Sequence, residues 1–424
     1  MQENENNKNW NTDYEWKVVT LLAIGFGLVG LDRWVISTLW PSMSEELGLA
    51  PELIGSLAGY TGIAWGIFAI ICGRISDKIG HRKVILPAII LFSLMGGFSG
   101  MVGSLTSLVI IRTFMGMMEG AYTPTSFTAV AVASKPHRRG LNQGIQQCGF
   151  ALTGFALAPI LASQLLAAGI SWHAIFWIAA IPGFIVAALL YKVLKEPKDT
   201  DGAALLGTTS EQEAKWLDAL KSSNIIVCMI ALFCAMACVF VMGAMVPVYL
   251  VNIIGLSTTD MGIVASAVGF GGFLGQFGWP GLSDKLGRKP VAIAGFIGAT
   301  LAVWWFMQIS SGVGALFVPL FVIAFFCLGN VALITGPIST ESARPGLIAA
   351  SIGIVVGAGE IFGGGVAPII AGNFAGAYGL ENVMYVPLAG VALGIVVSLF
   401  LKETAPIKIG APSVHAIDES GPIA

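Results

Sequence analysis

"GRISDKIGHRK" (residues 73–83) and "GLSDKLGRKP" (281–290) read as one segment used twice. Each follows a long apolar run and ends in a basic cluster. Asp77 and Asp284 stand 207 positions apart (284 minus 77). "GFALAPILA" (154–162) and "GGGVAPIIA" (363–371) repeat at nearly the same offset. The chain is therefore two copies of one design, and what lies between the repeated segments fixes what that design is.

Of the 424 residues, 56% are hydrophobic and 11% charged, with a mean hydropathy of +0.83. Soluble domains carry about 25% charged residues, so this chain cannot cover a soluble surface. Apolar windows of ~20 residues mark helical spans rather than alternating strands. They fall near 17–42, 52–73, 84–102, 106–132, 141–168, 173–194, 225–250, 260–281, 290–309, 314–336, 346–374 and 381–401. The expected fold is an all-α membrane protein of twelve transmembrane helices in two pseudo-symmetric six-helix bundles. Residues 1–194 form the first bundle and 225–424 the second with its tail. The polar stretch 195–224 links them, and its "SEQE" (210–213) has capping-box form, which predicts a short amphipathic helix.

Lys and Arg set the orientation. The stretches 74–83, 133–140, 192–221, 285–289 and 337–345, with the two termini, hold 20 of the 22 basic residues. The alternate connections hold only acids, such as Glu45, Glu46, Glu52, Asp260 and Glu381. By the positive-inside rule both termini are cytoplasmic. The polar N-terminus lacks a cleavable signal layout, so the first span is expected to be retained. The six cysteines all lie in apolar segments without metal or redox spacing, and the four histidines are scattered. These read as packing residues, with no metal site and no cofactor. No phosphate loop of the G-x-x-x-x-G-K-[ST] type occurs, and nothing suggests ATP hydrolysis.

The two remaining basic residues, Arg33 and Arg112, lie inside spans. Each intramembrane charge costs roughly 2.5–3.5 kcal/mol on insertion scales, so such groups are functional candidates. Arg33 stands beside Asp32 in "VGLDRWVIS" (29–37), and Arg112 shares "RTFMGMMEG" (112–120) with Glu119. Seven residues on a helix are two turns, placing Arg112 and Glu119 on one face ~10.5 Å apart. Glu360, in "GAGEIFGGG" (357–365), is the charge of the second half.

Gly73, Asp77, Gly80, Arg82 and Lys83 fit G-x-x-x-D-x-x-G-x-R-[KR], and the chain resembles the major facilitator superfamily over essentially its whole length. The second copy keeps Asp284 but has Pro280 in the first glycine position. The resemblance implies a cytoplasmic gate in which Asp77 latches the halves together. The mid-span "DR" and R-x-x-x-G-x-x-E-G at Arg112, Gly116, Glu119 and Gly120 resemble the anion:cation symporter group, which includes sugar-acid carriers and relatives of the sialic acid and vesicular glutamate carriers. The signature G-x-x-x-G-P-x-x-G-G of drug antiporters is absent from the fifth span.

That resemblance implies proton-coupled uptake of a small organic anion by alternating access. A carrier of this kind needs the lipid bilayer and protons but no nucleic acid, and is expected as a monomer in a bacterial inner membrane. An exporter or exchanger of organic anions or amphipathic compounds is the alternative. Arg33 offers a planar fork for a carboxylate. Glu119 and Asp32 are the proton-coupling candidates, because a carboxylate out of water can take up and release a proton as its surroundings change. Arg112 is either a second substrate arginine or a partner for Asp32. The same charges could instead only pin helices together. Glu360 stands where the group more often has a neutral polar residue; it is a third proton site, a substrate contact, or a group satisfied by local backbone. Tyr60, Gln146, Gln147, Gln276 and Asn330 are substrate hydrogen-bonding candidates, with interhelical bonding as the alternative. Trp34 and Trp65 could stack on a ring, whereas Trp40 reads as a membrane-interface anchor.

Overall fold

A computed structural model describes residues 11–135, 138–195, 216–343, 348–405 and 408. Among these there is no strand, and twelve long helices carry the fold. The first half holds α1 (Thr12–Leu47), α2 (Leu53–Ile79), α3 (His81–Phe98), α4 (Leu105–Ala133), α5 and α6 (Trp172–Val193). α5 runs from Arg139–Phe150 through a π-helical stretch, Ala151–Leu157, into Ala158–Ala167. The second half holds α7 (Ser223–Asn252), α8 (Thr258–Ala265 and Ala267–Leu286), α9 (Arg288–Met307), α10 (Val313–Leu333, extended by a π-turn to Ser339–Ser342), α11 and α12 (Tyr385–Leu399). α11 comprises Ile348–Ala358, a π-helical Gly359–Val366 and Ala367–Tyr378. The π-stretches of α5 and α11 begin 208 residues apart (359 minus 151), so the repeat extends to local backbone geometry.

Eleven of these helices are long and apolar enough to cross a membrane. α4 falls short because it carries Arg112, Glu119 and several Ser and Thr residues. Helix ends differ from the hydropathy reading. α1 starts at Thr12, where the Asn11 side chain accepts the Tyr14 N–H, and continues through Pro41 to Leu47. The basic stretches 74–83 and 285–289 are not loops. α2 and α8 run on to Ile79 and Leu286, and single glycines make the turns, Gly80 (φ 100°, ψ 147°) and Gly287 (φ 106°, ψ 149°). Hydropathy falls where charge begins, but helical hydrogen bonding does not; it stops where only glycine accepts the backbone angles. The expected helix at 210–213 lies outside the described residues, and Trp216–Lys221 forms a 3₁₀ turn.

The helices alternate in direction, so one end of the molecule gathers the basic connections and the other gathers the acidic ones. Two apolar cores reflect this. One lies within the first half, around Phe92, Met115 and Tyr122. The other fills the second half and crosses into the first only through residues at or near the acidic end, among them Trp34–Met43, Ile54, Leu57 and Phe176. There α2 lies against α11, with Gly55 beside Gly372, and α5 lies against α8, with Gly269 beside Ala156. Towards the basic end α2 and α11 stay within reach of each other, since a Cβ at Gly357 would lie 3.7 Å from Ile70 Cδ1. The halves are packed together at the acidic end.

Candidate functional site

The buried charges meet at the seam between the halves. α4 reaches this depth because Gly116 and Gly120 let its backbone press on the carbonyls of Thr61 and Trp65 in α2; a side chain at either would collide. That close approach brings Glu119 to the protein centre, fully buried. Gly96 of α3 plays the same part for Asp32, whose carboxyl carbon would sit 3.2 Å from a Cβ there.

Arg112 does not reach out for a ligand. It is 1% exposed, and its guanidinium donates to the carbonyls of Asp32 and Arg33, both at 2.8 Å. Carbonyl oxygens have two lone pairs, so α1 can accept these bonds without losing its helical ones. Arg112 therefore fixes α1 against α4 and sets the direction of Arg33. Its hydrogen bond to Asp32 runs to the backbone oxygen rather than the carboxylate, and its Nε stays unpartnered.

Arg33 is 4% exposed and crosses the seam. Its Nη1 lies 3.7 Å from Oε2 of Glu360 on α11, an ion pair that joins the two halves. Its Nη2 has no hydrogen-bond partner, and neither does Oε2 of Glu360. Aromatic rings surround the guanidinium: its Cζ is 4.6 Å from the Phe240 ring centroid, 5.7 Å from Trp34 and 5.9 Å from Trp65. Such faces stabilise a cation partly removed from water. Both carboxylate oxygens of Glu119 are buried without a partner, and its charge interacts with Arg33, Arg112 and Glu360. Asp32, in turn, feels Glu119 and Arg112. Five ionisable groups thus form one electrostatic unit, three acids facing two arginines.

The structure brings Asp32, Arg33, Arg112, Glu119 and Glu360 together and leaves Tyr60 and Asn330 outside. Tyr60 is 43% exposed and lies ~160° round α2 from Gly62, the residue beside Arg33. It points away from the cluster. Asn330 is consumed within the second half, accepting the Trp279 indole N–H at 2.9 Å and donating to Ala292 O at 3.1 Å. Gln146 donates to Ser126 Oγ at 2.7 Å while its Oε1 stays unpartnered. Gln276 Oε1 is also buried and unpartnered, and Gln147 is half-buried. Trp40 is fully buried, with its indole donating to Pro51 O at 2.7 Å, so it closes the α1–α2 turn rather than anchoring at an interface. Phe240 is the residue that sequence reading missed. The signal for it was the repeat itself, since Phe240 is Arg33 shifted by 207 (240 minus 33).

At the basic end the two copies of the repeated segment keep the same bonds. Ser76 donates to Gly73 O and approaches His81, and Ser283 donates to Pro280 O and accepts from Arg288. Arg82 donates to Tyr191 O and Lys289 to Leu399 O, each at 2.6 Å. Asp284 pairs with Arg288, which also reaches Glu341. Lys83 is exposed and Gly73 half-buried. Asp77 lies in α2, but its side chain falls outside the described residues. Among the described residues no group of His, Cys, Asp or Glu could hold a metal ion.

The model for the Major Facilitator Superfamily matches residues 22–355 and 249–417. The chain belongs to that superfamily. It is a multi-pass membrane transporter, and the family has no enzymatic chemistry to account for. Over 403 residues it is 26% identical to a probable 4-methylmuconolactone transporter of Cupriavidus pinatubonensis, covering 92% of each chain. It is 28% identical over 276 residues to a hexuronate transporter of Bacillus subtilis, covering 64% of this chain and 65% of that one. Among solved structures, a bacterial homolog of the human lysosomal transporter Spinster, in an inward-facing and occupied conformation, matches with a TM-score of 0.75. It shares 17% identity, over 92% of this chain and 97% of that one, which supports the shared fold. Relatives of the transporter are thus named for organic acids and their derivatives, as the sequence resemblance implied.

Proposed function

We propose that this transporter imports a small organic anion together with protons, by alternating access, across a bacterial-type inner membrane. Residues 1–194 and 225–424 are the rocking units, 195–224 the linker, and both termini face the cytoplasm. A single chain holds a complete seam and a complete charge cluster, in keeping with a monomeric carrier.

The observation that carries this reading is the unfinished bonding of Arg33. A permanently charged fork, one nitrogen unpartnered, sits on the seam facing a carboxylate 3.7 Å away, too far for a full hydrogen bond. A substrate carboxylate on Arg33 would complete the fork. Glu360 is then the tethered competitor that fills the place of that carboxylate in the empty carrier. Glu119 and Asp32 take up protons so that a second negative charge can enter a cluster already holding three acids. Protonation lowers competition for Arg33, so anion affinity rises as pH falls. Release into the cytoplasm follows when a proton leaves and a carboxylate reclaims the arginine. No signal needs to travel, because cargo and coupling ion share one site.

The test is uptake of radiolabelled glucuronate, a hexuronate, into proteoliposomes holding the full chain. Accumulation above equilibrium with an acid exterior, abolished by a protonophore, is expected. Accumulation driven only by the opposite gradient would make the protein an exporter and overturn the direction proposed.

A further inference from the structure

One helical turn beyond Arg33, on the sealed side, α1 carries three polar groups that no protein atom satisfies: Trp34 Nε1, Ser37 Oγ and Thr38 Oγ1. Their residues are 2%, 2% and 1% exposed. They line a cavity of about 20 Å³ between the halves, walled by Phe155 and Pro159 of α5 and by Gly243 and Val246 of α7. One water needs ~10–15 Å³ by this measure, so the cavity admits a group about the size of a hydroxyl.

Among the described residues, four buried Ser and Thr hydroxyls lack a partner, at Ser37, Thr38, Ser93 and Ser351, and only Ser37 and Thr38 line this cavity. Buried Ser and Thr in the spans commonly donate back to their own helix, as Thr61 does to Leu57, Thr125 to Ala121 and Ser134 to Val130. Ser37 and Thr38 decline that option. Pro41 also has no N–H to give the Ser37 carbonyl four residues back, so acceptor capacity is left over at the same turn. A buried polar group without a partner destabilises a fold, and three around one cavity point to a ligand. The indole is a donor only and the hydroxyls both donate and accept, which suits a group that itself does both.

We propose that Trp34, Ser37 and Thr38 form a hydroxyl-binding subsite beside Arg33, so that the carried anion is a hydroxylated acid rather than an apolar one. This rests on the reading of Arg33 as the carboxylate anchor. Ser37 is four residues from Arg33, hence on the same stripe of α1 and ~6 Å along its axis. An acid with its carboxylate on Arg33 would extend its hydroxyls along that stripe. The cavity lies in the sealed seam and widens when α1 and α5 swing away from α7 and α8 in the opposite phase of the cycle.

The experiment compares glucuronate with cyclohexanecarboxylate, a ring acid without hydroxyls, as substrates of the full-length protein in proteoliposomes. The wild type is expected to prefer glucuronate. Ser37→Ala combined with Thr38→Val should weaken glucuronate about tenfold and leave cyclohexanecarboxylate within about twofold. Thr38→Ser, which keeps the hydroxyl, should retain the preference. The thermal midpoint of the double variant should hold or rise, since unsatisfied groups are removed. Equal loss for both acids, no loss at all (a cavity for water only), or a lowered midpoint with unchanged selectivity would each overturn the subsite. A wild type that takes both acids equally well overturns the subsite and leaves the Arg33 anchor standing. A wild type that takes neither overturns both.

Discussion

At positions related by the 207-residue repeat, the first half carries Asp32-Arg33-Trp34 and the second carries Val239-Phe240-Val241. Glu119 likewise maps onto Phe326 (326 minus 119 is also 207). The backbones match, down to paired π-helical stretches and paired positive-φ glycines. The side chains do not. One half concentrates the charges, and the other gives them the Phe240 ring and a single carboxylate, Glu360. Duplication made a site on the pseudo-symmetry axis, and divergence made it lopsided. On the function proposed above, a ligand bound there would have its charge read by the first half and be released by Glu360 of the second.

The most damaging change to this division is Arg33→Lys. It keeps the charge but loses the planar fork and the stacking on Phe240, so glucuronate affinity should fall roughly 10- to 100-fold, equivalent to about 1.4–2.8 kcal/mol. Isothermal titration with the purified protein reads this directly, and wild-type affinity would remove Arg33 from the site. Next in size is Glu119→Gln, which fixes a neutral side chain in the charged half. Gradient-driven accumulation should disappear while glucuronate counterflow stays within about threefold of wild type, because binding and rocking survive without the proton. Accumulation that persists would reassign coupling to Asp32 or Glu360.

Glu360→Gln tests the second half. Removing a tethered competitor should raise anion affinity about three- to tenfold and slow net uptake through slower release. A substrate contact or a purely structural Glu would give lower or unchanged affinity. The smallest effect lies at the basic end. Glu403 accepts the backbone N–H groups of Arg288 and Lys289 at the start of α9, and those of Thr404 and Ala405. Burial pushes its carboxyl up, but the four donors outweigh burial and hold it below the usual carboxylate range. A lowered value in the folded state means that its stabilisation is present at neutral pH and fades as pH falls through that lowered value. Glu403→Gln should therefore cost about 1–2 °C of melting temperature at pH 7, with the gap to wild type closing in acid. A gap that widens in acid would contradict this sign.

Much of the fold was legible because bilayer thickness sets span length, and span length is written in residue order. Helix ends were less legible. Ile79 and Leu286 lie beyond the apolar windows because a helix needs backbone hydrogen bonds rather than hydropathy to continue. The charge cluster was readable because Asp32, Arg33, Arg112, Glu119 and Glu360 are expensive wherever they lie in a membrane. Their roles were harder to read. Arg112 and Arg33 look alike in sequence, and only geometry shows one bonding to backbone while the other faces the seam. Asn330 bonds to Trp279 and Ala292, and Tyr60 is exposed away from the cluster, for a related reason: the direction of a polar side chain in a span depends on neighbours that local pattern does not name. The unsatisfied Ser37 and Thr38 left no trace at all, because the same residues elsewhere bond back to their own helix.

The decisive measurement is proton movement driven by the anion itself. Proteoliposomes with no starting pH gradient receive glucuronate outside, and a trapped pH dye follows the interior. The expected result is acidification of the lumen in step with labelled glucuronate entry, absent in Arg33→Lys liposomes. Glucuronate entry with no change of internal pH would contradict the coupling of anion and proton at this cluster.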